Sequence, residues 1–146
     1  MKTVIGLLCL LLLWASPVAE AATVGYVPMD DRPVNLEYVV DSVRAARIGI
    51  VTPSESLIAG RERPGDVPGL WQWVFAQAAT SDALVVSTDS LIYGGLVASR
   101  THELQAGELQ RRLAMFRQLK QRYPSLRLYV FGTIMRTPKM SAGATE

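Results

Sequence analysis

Four short apolar runs, each separated from the next by an amphipathic stretch, constrain this chain more than any other feature. The runs are TVGYV (Thr23–Val27), RIGIV (Arg47–Val51), ALVVS (Ala83–Ser87) and LRLYVFG (Leu126–Gly132). They are rich in β-branched residues and mostly continuous rather than alternating, as strands buried on both faces are. Between the first two, Asn35 to about Ala46 places Leu36, Val39, Val40 and Val43 on one helical face, with Asn35 a suitable N-cap. A second helix follows Asp66, with Pro68 in its first turn, where a missing N–H costs nothing. Its apolar stripe is Val67, Leu70, Trp71, Val74, Phe75 and Ala78. A third spans roughly Ala106 to Gln121, with Leu109, Leu113, Phe116 and Leu119 inward, before Pro124 blocks further helix.

The order β-α-β-α-β-α-β predicts an α/β fold of parallel strands joined by right-handed crossovers. Four such steps, the last incomplete, make half of a TIM-like (β/α)₈ barrel, so the chain is expected to be the N-terminal part of a longer protein. An open Rossmann-like parallel sheet is the alternative. Helix-to-strand joints are minimal, whereas the strand-to-helix joints Pro28–Val34, Thr52–Asp66 and Thr88–Gln105 are long. All the long joints fall at the carboxyl ends of strands, the face on which parallel α/β proteins build their sites.

Residues 1–21 stand apart from this pattern. Lys2 precedes the apolar run VIGLLCLLLLW (Val4–Trp14), and ASPVAEAA follows, with Ala19 and Ala21 at the small-residue spacing of a signal peptidase site. The run is about half of the ~20 residues a membrane span needs. It is expected to be a cleaved secretory signal that leaves residues 22–146 as one exported domain, periplasmic or extracellular, with no stable membrane anchor. Leu8 is too bulky for lipoprotein processing at Cys9, and this sole cysteine leaves with the signal. Of 15 Lys+Arg and 13 Asp+Glu, only Lys2 and Glu20 are removed, so the net charge stays at +2. Scattered basic residues at that balance point away from a nucleic-acid partner.

The first long joint, YVPMDDRPVN (Tyr26–Asn35), sets Asp30, Asp31 and Arg32 between Pro28 and Pro33. The prolines restrict their own φ and that of the preceding residue, so the charged groups are held before any ligand arrives. Neighbouring side chains in an extended segment point opposite ways. One aspartate is therefore expected to face a site, and the other to pair with Arg32 or cap the next helix. The second joint, with Pro53, Gly60, Pro64 and Gly65, reads as a lid or packing loop whose Arg61 and Arg63 are solvated charge. The third carries Asp89 just beyond its strand, then Tyr93, Gly94, Gly95, Ser99 and Arg100. The glycines permit positive φ or close backbone approach, either to a ligand or in a tight turn beneath Leu91, Ile92, Leu96 and Val97. Arg136 follows the fourth run, so Arg32, Arg100 and Arg136 can approach one rim, to bind a ligand or to neutralise the aspartates.

Several chemistries are set aside by composition. His102 is the only histidine, so no multi-histidine zinc site can be built, and no nucleophile-elbow G-x-S-x-G is present. Neither GxxxxGK[ST] nor GxGxxG occurs. Asp30 or Asp31 with Asp89 could offer oxygen ligands to Mg²⁺ or Ca²⁺, but no calcium-loop pattern supports this, and no cofactor or metal is expected.

YVPMDDRPVN, VVSTDSLIYGGLVASR and FGTIMRTP, in this order and spacing, resemble the N-terminal part of a bacterial family catalogued as domain of unknown function 4127, whose members are several times longer. The resemblance implies that Asp30, Asp31, Arg32, Asn35, Asp89, Tyr93, Gly94, Gly95, Ser99, Arg100, Met135 and Arg136 belong to the family's pattern. It brings no activity with it. From the residues, the leading expectation is an exported hydrolase acting on a glycan or another polyhydroxylated cell-envelope component. Asp89 and one of Asp30 or Asp31 would be the catalytic carboxylates. Arg32, Asn35, Tyr93, Gly94, Gly95, Ser99, Arg100 and Arg136 would contact substrate. This step rests on fold analogy. The alternatives are a non-catalytic binding protein for an anionic or sugar ligand and a truncated product without a function of its own.

Overall fold

The computed structural model describes residues 22–134, so the expected signal, Met135 and Arg136 lie outside the described residues. Along the chain run β1 (Thr23–Val27), α1 (Glu37–Ala45), β2 (Gly49–Val51) and α2 (Val67–Gln77). Then come β3 (Ala83–Ser87), a single π-helical turn (Asp89–Tyr93), α3 (Leu96–Thr101), α4 (Ala106–Arg122) and β4 (Arg127–Phe131). The alternation of strand and helix is that expected from the sequence.

The boundaries differ where backbone groups had to be satisfied. Arg47 adopts a left-handed φ of 60°. It closes α1 while the Ile48 N–H reaches back to the Val43 carbonyl at 3.3 Å. Two residues of the RIGIV run are thus used to stop the helix, and β2 starts only at Gly49. Asn35 is not the N-cap: α1 begins at Glu37, with Leu36 before it and no side-chain cap. Asp66 does cap α2, accepting from the Gly69 N–H at 3.2 Å.

All four strands are parallel, in the order β2-β1-β3-β4. A (β/α)₈ barrel sets consecutive strands side by side, but here β1 separates β2 from β3. The half-barrel expectation gives way to the open, doubly wound alternative. The chain leaves β1 toward one edge and returns past it to β3, so the carboxyl ends of β1 and β3 flank a topological switch point, where such sheets bind ligands.

The register puts Val27 beside Val86, and Leu84 beside Leu128, on one face. Helices α2 and α4 cover that face through Leu70, Trp71, Val74 and Leu119. Opposite in-sheet directions of the β1–β2 and β2–β3 crossovers put α1 on the other face, where Tyr26 stacks on Phe131 at 6.3 Å. Some residues expected to be buried are not: Leu113 is 51% and Val97 54% exposed, and β4, expected to be covered on both faces, leaves Tyr129 and Val130 exposed. Of the expected α4 stripe, Phe116 and Leu119 do join the core, with Met115 beside them in place of Leu113.

Candidate functional site at the strand ends

The three long loops are stitched to one another by their backbones. The Asp31 N–H donates to Ala59 O at 2.9 Å, Leu96 N–H to Met29 O at 3.2 Å, and Gly65 N–H to Gly94 O at 2.7 Å. The buried Ser90 hydroxyl adds a bond to Pro28 O and a longer one of 3.2 Å to Met29 O. Gly94 and Gly95 serve this contact. Their φ values are 90° and 129°, and a Cβ on Gly95 would sit 2.3 Å from that of Ala59. Of the two uses the sequence left open for these glycines, close packing between loops is the one the backbone displays.

The adjacent aspartates lie in a bend rather than an extended segment, and both border one cleft, but their surroundings differ. Asp30 is buried, and its carboxylate accepts from Arg32 Nε at 3.0 Å and Arg32 Nη2 at 2.8 Å, with Asn35 Nδ2 at 2.6 Å. The Tyr26 hydroxyl in turn donates to the Asn35 carbonyl at 2.6 Å. Burial pushes the Asp30 carboxyl up, but the hydrogen bonds from Arg32 and Asn35 outweigh it and hold the group below its ordinary range. The same burial, with the Asp30 charge nearby, pushes the Tyr26 phenol up, so it stays a donor.

A pH dependence follows from the depressed carboxyl. Its stabilising effect is complete above the pKa of an unfolded aspartate, near 3.8, and fades as pH falls through the lower folded value. Asp30→Asn is therefore expected to lower stability at pH 7 and to make the stability of the variant fall less than the wild type's below pH ~4. Urea midpoints measured from pH 7 down to 3 check this. Parallel curves for the two proteins would place the clamp elsewhere.

Asp31 is exposed, and Gly60 makes room for it, since a Cβ there would lie 3.1 Å from Asp31 Oδ2. Together with Arg32, Arg61, Glu62 and Leu96 it lines a cleft of about 540 Å³ above the switch point. Arg63 also borders the cleft and is exposed, but it has a structural use as well. Its guanidinium donates to Ser56 O at 3.1 Å, Glu55 O at 3.0 Å and Ile58 O at 2.9 Å, fixing the loop's shape.

The profile of the family described as "Protein of unknown function (DUF4127)" matches residues 24–146. The chain belongs to the DUF4127 family. No curated protein and no solved structure matches it.

The remaining candidate residues of this DUF4127 chain are dispersed around the strand ends. Asp89 is buried and does not line the cleft. Its carboxylate accepts from Thr133 Oγ1 at 2.8 Å and Thr133 N–H at 3.0 Å, tying the end of β3 to the end of β4. Tyr93 stacks on His102 with ring centroids 4.6 Å apart, in a neighbouring hollow. The Ser99 hydroxyl donates within its own helix, to Leu96 O at 2.8 Å. Arg100 is exposed, with no hydrogen bond or ion pair among the described residues. Arg136 lies outside them. Among the described residues no three His, Cys, Asp or Glu side chains cluster as a metal would need, and no helix is long and apolar enough to cross a membrane.

Sequence reasoning missed Ser90, Thr133 and the structural use of Arg63. Thr133 lies 44 residues from Asp89, and no local pattern couples the two. Ser90 stands directly after Asp89, where a small hydroxyl beside a strand-end acid was a usable signal.

Proposed function

We propose that this DUF4127 domain is exported by its N-terminal signal and binds a neutral polyhydroxylated ligand, a cell-envelope glycan, in the strand-end cleft. One observation carries the reading: the bonds from Arg32 to Asp30 use Nε and Nη2, and the half-exposed guanidinium keeps Nη1 for a ligand. Asp31 stands beside it as an exposed acceptor. A fixed donor next to a free acceptor suits hydroxyl groups, which both give and take hydrogen bonds. Arg32, Arg61 and Arg63 balance Asp30, Asp31 and Glu62 around the cleft, so it has no net charge with which to favour a strongly anionic ligand.

Binding is better supported than hydrolysis. Glycoside hydrolysis uses a protonated acid together with a second carboxylate. Asp30 is held as the anion by its clamp, which unsuits it for proton donation at neutral pH. Asp89 is bonded to Thr133 outside the cleft.

The test is an array of neutral and acidic bacterial surface oligosaccharides probed with the purified protein. Retention of neutral glycans, weakened about tenfold by Asp31→Ala through loss of one charge-assisted hydrogen bond, is the expected result. Retention of acidic glycans alone, or of none, would overturn the proposal.

A further inference from the structure

We infer that the ligand is a chain of several sugar units, bound in a groove that runs from the charged cleft across α3 into the hollow beside Tyr93. This rests on the glycan reading above. The hollow measures about 380 Å³, and with the first cleft it shares Pro64, Ala98 and Thr101. The shared residues make a low divide: Ala98 ends at its β-carbon, and Thr101 is exposed, its hydroxyl turned back to Val97 O at 3.2 Å. Each space lies in the size range of a small-ligand site, and a ligand longer than either can cross between them.

The two ends differ in the way a sugar chain can use. The first offers Arg32 and Asp31 to hydroxyl groups. The second offers the stacked rings of Tyr93 and His102, centroids 4.6 Å apart, as an aromatic wall for the C–H face of a pyranose. The walls of that hollow are fixed from behind. Leu104 N–H donates to His102 Nδ1 at 3.2 Å, which sets the ring's orientation. Arg112 is bonded to Glu108 Oε1 at 2.7 Å and to the Ile92 carbonyl. A preformed wall of this kind binds without the cost of ordering side chains.

Calorimetric titration with N-acetylglucosamine and glucose β-oligomers of two and four units tests the inference. The tetramers are expected to bind about tenfold more tightly than the dimers, from the added stacking contact. Tyr93→Ala is expected to bring that ratio to about one, and Thr101→Trp, at an exposed position, should do the same by blocking the divide. Thermal melts establish that both variants are folded, and the Thr101 variant decides the matter if Tyr93→Ala unfolds. Equal affinities for dimer and tetramer in the wild type would overturn the extended groove while leaving the glycan reading intact. No saturable binding of either length would overturn both.

Discussion

Alanine at Gly95 is expected to destabilise the domain by about 3 kcal/mol or more, the sum of a backbone strain and a steric overlap. The strain arises because Gly95 sits at φ 129° and ψ 172°, a region essentially closed to residues with a Cβ. The overlap arises because that Cβ would lie 2.3 Å from the Cβ of Ala59 and 3.3 Å from Met29 O. Neither neighbour can easily move. Ala59 O is held by the Asp31 N–H at 2.9 Å, and Met29 O by the Leu96 N–H at 3.2 Å. Gly95 itself is pinned on both sides, through its N–H to Asp89 O at 2.8 Å and its carbonyl to the Ser99 N–H at 2.9 Å. The double variant Gly95→Ala with Ala59→Gly removes the overlap and keeps the strain. It should recover part of the loss, and urea denaturation of the three proteins separates the two contributions. If Gly95→Ala alone unfolds at the wild-type midpoint, the loops do not meet as described.

Gly95 also illustrates how far the sequence could be read. Adjacent glycines after a strand-end aspartate announced a special backbone, but their contacts, Gly65 for Gly94 and Ala59 for Gly95, lie in a loop nothing local connects to them. The alternation of strands and helices was legible because short β-branched runs alternate with amphipathic stretches, although only β1 and β3 are largely buried. The strand order was not. Orders 1-2-3-4 and 2-1-3-4 use the same elements and the same crossover hand, and differ in the direction of the first crossover and in the second passing over β1. The pairing of one aspartate with Arg32 was legible, but the expected extended segment is a bend, so Asp30 and Asp31 both border the cleft. Asn35 has an alternative use: its amide donates to the buried Asp30 carboxylate, and losing that charge-assisted bond would cost more than leaving a solvated first turn of α1 without a side-chain cap.

Trp71 carries the second large effect. Replacing it by alanine is expected to cost about 3–5 kcal/mol, a large share of the ~5–15 kcal/mol that holds such a domain folded. The residue is only 4% exposed, meets Phe116 edge-on at 4.7 Å and Phe75 at 6.2 Å, and sits where α2 and α4 join over the sheet. It has a further task that an apolar side chain cannot perform. Its Nε1–H donates to the Leu91 carbonyl at 3.0 Å, and Arg112 serves the next carbonyl, that of Ile92. The π-helical turn that follows β3 is thus fastened by one side chain from each covering helix, and this turn delivers Gly94 and Gly95 to the loop contact. Trp71→Phe keeps most of the packing but leaves Leu91 O buried without that donor, at a cost of about 1–3 kcal/mol. Amide hydrogen exchange at Gly94, Gly95 and Leu96 should then quicken more in the phenylalanine variant than exchange in β1 or β3. Acceleration spread evenly over the domain would mean that Trp71 acts through packing alone, and that the strand-end loops keep their shape without it.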